Sequence, residues 1–271
     1  MALTDLQRSV CRLLAEQRIR SGESYVAGGV ALNELLGGAR ISRDIDLFHD
    51  TEDAVEASWK ADRARLEGAG FAVERLRDRP GFVEAEVRKG DEAVRMEWAR
   101  DSAFRFFPLV EHSELGLVLH PFDLATNKLL AMIGRREVRD WVDLLQCDHS
   151  LQPVGYLAWA ACGKDPAFSP ETILAHAERS GRYSAQEIAE LDFATSPPDA
   201  GDLARRWHGA LRTAHRIVEA LPPEEAGSCV LLKREDLCRL APPELEAALG
   251  RGEISFRSGS IRGALPVIRP T

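Results

Sequence analysis

Two aspartates one residue apart, Asp44-Ile45-Asp46, stand in the run Ile41-Ser42-Arg43-Asp44-Ile45-Asp46-Leu47-Phe48, where apolar and acidic residues alternate. A period of two marks a strand with one face in the core, and it sends both carboxylates to the other face. Neighbouring negative charges repel unless a cation neutralises them, so the pair suits a divalent metal. A solvated strand can also carry such a pair with no ligand. Gly28-Gly29 opens a helix-like stretch, Val30 to Leu36, and fourteen residues separate it from Asp44. Glycines at a helix start let backbone N–H groups approach a phosphate chain, and the helix dipole adds attraction for the anion. Either feature alone is ordinary. Together they describe a nucleotide-plus-metal site, with Ser42 on the Asp44 face to orient a carboxylate or touch phosphate.

A third carboxylate is expected from a neighbouring strand. In Val94-Arg95-Met96-Glu97-Trp98 the apolar residues share one face, and Glu97 lies on the other with Arg95. Three carboxylates can clamp two Mg²⁺ ions about 3.5–4 Å apart, activating a nucleophile and stabilising a leaving pyrophosphate. Glu97 could equally be a salt-bridged surface residue. Further on, Leu124, Leu129, Leu130 and Ile133 define the inward side of a helix that carries Lys128 towards a cleft. Lysine meets phosphate as a point charge on a flexible stem, although most helical lysines are simply solvated. Arg135, Arg136 and Arg139 either extend a positive wall for nucleic acid or pair with Glu137, Asp140 and Asp143.

The elements that must position these residues follow from periodicity. Residues 3–18 have the spacing of an amphipathic helix, Ser24 to Ala27 is a short apolar segment, and residues 52–67 are again helical. Phe71 to Leu76, Phe82 to Arg88 and Ala93 to Trp98 read as strands joined by the turns Pro80-Gly81 and Gly90-Asp91, which suits antiparallel hairpins. Leu115 to Leu119 is expected to end the sheet. From Pro121 onward the pattern turns helical: 122–134, 137–147, Val154 to Cys162, Pro170 to Arg179, Ala185 to Leu191 and Ala200 to Leu221. This segregation predicts an α+β protein, with a core over residues 1–120 and a mainly helical domain over 121–271. The periodicity leaves the Gly/Arg/Pro-rich tail from Gly250 unassigned. From Arg251 its four arginines and one glutamate could attract an acidic partner such as RNA.

The 271 residues include 45% hydrophobic and 29% charged positions, enough for one large domain or two small ones. No apolar run reaches the roughly 20 residues that span a bilayer, and the first residues lack the basic and apolar regions of a signal peptide. A soluble, cytoplasmic protein is the expectation. Five scattered cysteines without a C-x-x-C pair predict reduced, mostly buried thiols. The seven histidines show no metal-ligand spacing; His208 and His215 are expected to be structural or solvated. A net charge of −8 argues against coating nucleic acid by general phosphate attraction, but leaves room for a local basic groove.

Gly28-Gly29 followed by Arg40-Ile41-Ser42-Arg43-Asp44-Ile45-Asp46-Leu47 resembles the first motif of the polymerase-beta-like nucleotidyltransferases, in the variant of AbiEii-type toxins. Asp123-Leu124-Ala125-Thr126-Asn127-Lys128-Leu129-Leu130-Ala131, with Arg135, Arg139-Asp140 and Asp143-Leu144, is similar to that family's second signature. The resemblance covers residues 24–148. It implies a minimal nucleotidyltransferase fold, a mixed sheet with flanking helices, followed by a mainly α-helical domain. By position, it implies that Asp44, Asp46 and Glu97 bind Mg²⁺ or Mn²⁺ and that Lys128 contacts the triphosphate of an NTP. Gly28, Gly29, Ser42, Arg139, Asp140 and Asp143 fall at nucleotide-binding or late acidic positions. It also implies an RNA or tRNA acceptor and a cognate antitoxin, in a toxin–antitoxin or phage-defence system. The broader superfamily has Gly-Ser where this chain has Gly28-Gly29, which removes a hydroxyl from the phosphate site. Transfer to a small molecule or protein, and a non-catalytic nucleotide-binding module, are the alternative readings.

Overall fold

The computed structural model describes residues 3–232 and 235–263. The chain forms two compact units: residues 1–103, 109–120 and 192–195 make the first, and 104–108, 121–191 and 196–271 the second. The fold class is α+β.

The first unit opens with α1 (Asp5–Ser21), whose capping box between Thr4 and Gln7 closes the exposed first-turn amides. Next come β1 (Ser24–Ala27), α2 (Gly28–Leu36), β2 (Asp44–His49), α3 (Glu52–Gly68), β3 (Ala72–Arg79), β4 (Phe82–Lys89) and β5 (Glu92–Arg100). The two-residue β6 (Phe104–Arg105) belongs to the second unit; β7 (Val110–His112) and β8 (Gly116–Val118) return to the first. Seven strands form one sheet in the order β3-β4-β5-β2-β1-β8-β7. The two hairpins expected from Pro80-Gly81 and Gly90-Asp91 are present, so β3, β4 and β5 run antiparallel. β2 lies parallel to β5 and antiparallel to β1, which makes the sheet mixed. The strand expected to end the sheet does not. β8 pairs with β1 on one side and with β7, which the sequence pattern missed, on the other.

One face of this sheet is apolar because alternate residues are: Ile45 and Leu47 on β2 and Val94, Met96 and Trp98 on β5 are all buried. Trp98 meets Trp59 of α3 edge-on at 4.9 Å between ring centroids, and its indole N–H donates to Asp62 Oδ2 at 2.9 Å. Burying each such side chain contributes about 1.5–3 kcal/mol. That packing fixes the strand register, since a slip of one residue would turn the carboxylates of β2 inward.

In the second unit α4 (Pro121–Arg135), α5 (Val138–Ser150), α6 (Val154–Ala161), α7 (Pro170–Ser180), α8 (Ala185–Ala189) and α9 (Ala200–Ala220) follow the expected helices closely. All eight residues of α6 are buried. Gly155 lets its backbone touch α9, because a Cβ there would lie 2.8 Å from Ala214 Cα. Asp123, fully buried on α4, accepts the N–H groups of Phe106 and Phe107 at 2.9 and 3.0 Å and faces Lys164 Nζ at 2.8 Å. The region after Leu221, read only as punctuation and tail, folds as β9 (Ser228–Leu232), α10 (Pro242–Gly250), β10 (Ile254–Ser258) and β11 (Ser260–Ile261). β10 pairs with β9 and β11 with β6. Of the basic tail, residues 264–271 lie outside the described residues. No described helix is long and apolar enough to cross a membrane. All five cysteines are unbridged and four of them are buried.

Candidate active site

The parallel register of β2 and β5 sets Asp44 beside Arg95 and Asp46 beside Glu97. Both aspartates and Glu97 are half-buried on the polar face, while Ile45 and Met96 between them are sealed in the core. The strand itself begins at Asp44 rather than Ile41, so Ser42 lies in the approach to β2, buried at 8% exposure.

The Gly-Gly pair meets this face directly. Gly28 enters α2 with φ +65°, and a Cβ built on it would fall inside the Asp46 carboxylate. A Cβ on Gly29 would lie 2.5 Å from Arg40 Nη2 and 2.8 Å from Ser42 Oγ. Gly28 is therefore required by both its conformation and its close approach, whereas at Gly29 the neighbours are side-chain ends. α2 starts after Ala27 with no side-chain cap and no acidic residue in its first turn, the condition in which a helix start attracts an anion.

The approach to β2 is held from two distant places that the sequence did not reveal. Gln7 Nε2 donates to Ser42 O at 2.7 Å and to Arg43 O at 3.2 Å. Asp192 O accepts Ile41 N–H at 2.9 Å, Ala194 N–H donates to Ala39 O at 2.8 Å, and Arg43 Nε meets Asp192 Oδ2 at 2.5 Å. The hydrogen bond from Arg43 holds the Asp192 carboxyl below its ordinary range. Beyond Glu97, the buried carboxylate of Glu84 on β4 sits beside it in register and bridges Arg95 at 3.2 Å and Arg77 at 3.1 Å. An alternating strand pattern marks Glu84 as outward-facing; only the pairing of β4 with β5 shows its neighbour.

In the second unit Lys128 is buried, its Nζ 3.0 Å from Asp140 Oδ1 and 3.2 Å from Asp143 Oδ2. Arg135 adds two bonds to Asp140, Nε to Oδ2 at 2.7 Å and Nη2 to Oδ1 at 2.9 Å. Of the two readings left open for Arg135, pairing is the one realised. Burial pushes the Asp140 carboxyl up, but the Arg135 hydrogen bonds and the Lys128 charge outweigh it and hold the group below its usual value. Two cations and two anions leave this cluster neutral and tie α4 to α5. Arg139 is half-buried on α5, one position before Asp140. His215 Nε2 lies 2.8 Å from Glu178 Oε1, on the surface.

Gly28, Gly29, Ser42, Asp44, Asp46 and Glu97 are thus gathered in the first unit, and Lys128, Arg139, Asp140 and Asp143 in the second. Among the described residues no three His, Cys, Asp or Glu side chains stand close enough together to hold a metal ion as they are oriented. In kind the first-unit residues fit one: the donors are hard carboxylate oxygens, the class that Mg²⁺ and Mn²⁺ take. Asp46 and Glu97 share one register position on neighbouring strands.

The comparisons agree with this architecture. The chain resembles a putative nucleotidyltransferase from H. pylori, with 17% identity, a TM-score of 0.50, and coverage of 81% of this chain and 99% of that one. It also resembles MenT4, a nucleotidyltransferase toxin from Mycobacterium tuberculosis, at 16% identity and a TM-score of 0.51 over 90% of each chain. At such identities these likenesses speak for the fold alone. No curated protein matches the sequence. The profile of the family described as "Nucleotidyl transferase AbiEii toxin, Type IV TA system" matches residues 12–220. With a match over most of its length, the chain belongs to the AbiEii family and is a nucleotidyltransferase toxin of the type IV toxin–antitoxin class.

Proposed function

We propose that the enzyme transfers a nucleoside monophosphate from an NTP to a hydroxyl of RNA, tRNA being the first candidate, in the cytoplasm and under the control of a cognate antitoxin. The observation that carries this reading is the meeting of the Gly28 helix start with the Asp46 carboxylate, in register with Glu97. It joins an anion site to an acidic row.

Asp44, Asp46 and Glu97 would hold Mg²⁺, which when bound supplies charge neutralisation for the triphosphate and the departing pyrophosphate. Backbone N–H groups at the start of α2 would take phosphate oxygens, with Ser42 Oγ alongside. In the second unit Lys128 is the proposed triphosphate contact, with Asp140 and Asp143 fixing its amine and Arg139 on the same helix. The acceptor oxygen forms a bond to the α-phosphorus as the bond to the β-phosphate oxygen breaks. The acceptor's proton passes to Asp46 or Glu97.

The test is incubation with each α-labelled NTP, Mg²⁺ or Mn²⁺, and either total RNA, hydroxylated small molecules or protein. Label on RNA that disappears in Asp44→Asn supports the reading. Label only on the other acceptors would move the enzyme to a different substrate class, and pyrophosphate release absent under every condition would refute transfer.

A further inference from the structure

α9 carries four arginines and two histidines between Leu203 and Val218, with its two carboxylates, Asp202 and Glu219, just outside that stretch at either end, in a chain of net charge −8. Leu203, Trp207, Leu211, Ala214, Ile217 and Val218 bury one side of this helix. Arg205, His208 and Arg212 follow at spacings of three and four along the opposite side, His215 and Arg216 stand three and four residues beyond Arg212, and all five are exposed.

Folding does not explain this stripe. Like charges four residues apart, such as Arg212 and Arg216, oppose the helix rather than support it. Arg205 is paired with Asp202, and His215 with Glu178. Among the described residues Arg212 and Arg216 have no ion-pair partner. Gly209 adds an independent observation. It sits in mid-helix on the outer side between Arg205 and Arg212, where a Cβ would meet nothing nearer than Arg212 Nη2 at 3.9 Å. Alanine would fit and would favour the helix; glycine leaves the backbone bare within the basic stripe.

We propose that this face of α9 grips the sugar-phosphate backbone of the RNA, an inference that rests on RNA being the acceptor. Arginine forks match phosphate oxygens and stay charged at every physiological pH. Gly209 permits a close approach between them. A protein partner is disfavoured because such interfaces centre on buried aromatic or aliphatic anchors. The exposed large hydrophobics among the described residues are Ile19, Leu76 and Ile261, none of them on α9. The −8 net charge of the chain is thereby reconciled with a nucleic-acid substrate: attraction is confined to one helix face.

The experiment is filter binding of a tRNA pool to the full chain at 50–200 mM salt, without NTP, comparing wild type with Arg212→Ala/Arg216→Ala and Arg212→Lys/Arg216→Lys. Each lost phosphate contact removes about 0.7–0.9 from the log–log salt slope, so the alanine pair should shrink the wild-type affinity change across this range by about tenfold. The lysine pair should keep most of the slope. Gly209→Ala should raise Tm while weakening RNA binding. Equal affinity and slope for wild type and the alanine pair would overturn the grip. So would a co-expressed antitoxin released by the alanine pair with RNA binding intact, which would make the face a protein-docking surface. RNA bound through the stripe by a wild type that adds no nucleotide to it would support the grip and refute the acceptor assignment, so the two failures remain distinct.

Discussion

Gly28 and Asp46 occupy adjoining space: the carboxylate of Asp46 fills the position that a side chain on Gly28 would take. The glycine also holds φ +65°, where an L-residue costs about 1–2 kcal/mol. Gly28→Ala should therefore lower Tm by about 2–8 °C. Displacing the carboxylate by a fraction of its own size should cost about 100-fold in transfer rate. Gly29→Ala should be milder, since its Cβ would meet the movable ends of Arg40 and Ser42. Calorimetry and transfer assays on the two variants check the contrast; equal effects would remove the special role of Gly28.

The acid limb of stability should carry a contribution from Asp140. Its carboxyl titrates below the ordinary value near 3.8 because Arg135 and Lys128 outweigh the burial that pushes it up. A depressed carboxyl stabilises the fold above about pH 4, and that contribution is lost as pH falls through the folded value. Asp140→Asn should cost about 3 kcal/mol at pH 7, since it leaves Lys128 buried with a weaker partner. The gap to wild type should narrow below pH 4. Urea unfolding at pH 7 and pH 3.5 measures both.

His49 contributes a second, higher window. It is fully buried on the apolar side of β2, its Nε2 without a hydrogen-bond partner among the described residues. Burial, with help from the nearby Arg18 charge, lowers its pKa from 6.5 to about 4. A base held neutral in the fold stabilises it above pH 6.5, and this is lost as pH falls from there towards 4. The loss comes to about 3 kcal/mol at 1.36 kcal/mol per pH unit. His49→Leu should flatten the stability profile between pH 6.5 and 4. An unchanged slope in that variant would assign the window to other groups.

Lys164 tests how the 104–108 segment is held. Its Nζ lies 2.8 Å from the buried Asp123 carboxylate and 2.7 Å from Asn127 Oδ1. Lys164→Met removes the cation but keeps most of the volume, and should destabilise by about 3–5 kcal/mol by leaving a buried charge with only backbone partners. In Lys164→Met/Asp123→Asn most of that loss should return, because no charge is then buried. Thermal melts of the single and double variants decide it.

Much of this was legible in the sequence because it is local. The period of Asp44 to Leu47, the hairpin turns at Pro80-Gly81 and Gly90-Asp91, and the helices from Pro121 to Leu221 are written in neighbouring residues. What was hidden depends on pairings far apart in the chain. Nothing near Gln7 or Asp192 indicates that they pin the entry to β2 from distant parts of the sequence. Glu84 reads as a surface glutamate until β4 is laid beside β5. Lys128 reads as a lone cation until α5 brings Asp140 and Asp143 against it. The pairing of β9 with β10 escaped because Ser228 to Leu231 is buried throughout and so lacks alternation.

Asp46 and Glu97 are neighbours only because β2 and β5 run parallel, and a parallel pair cannot be closed by a tight turn. Fifty residues lie between them, α3 and the β3–β4 hairpin included, so long-range closure must precede the acidic row. On the proposed assignment, a polypeptide abandoned before Glu97 keeps Asp44 and Asp46 but lacks the third carboxylate and the strand that sets it beside them. The acidic row thus comes into being only when β5 docks on β2, late in the assembly of the sheet rather than with the motif that the sequence displays.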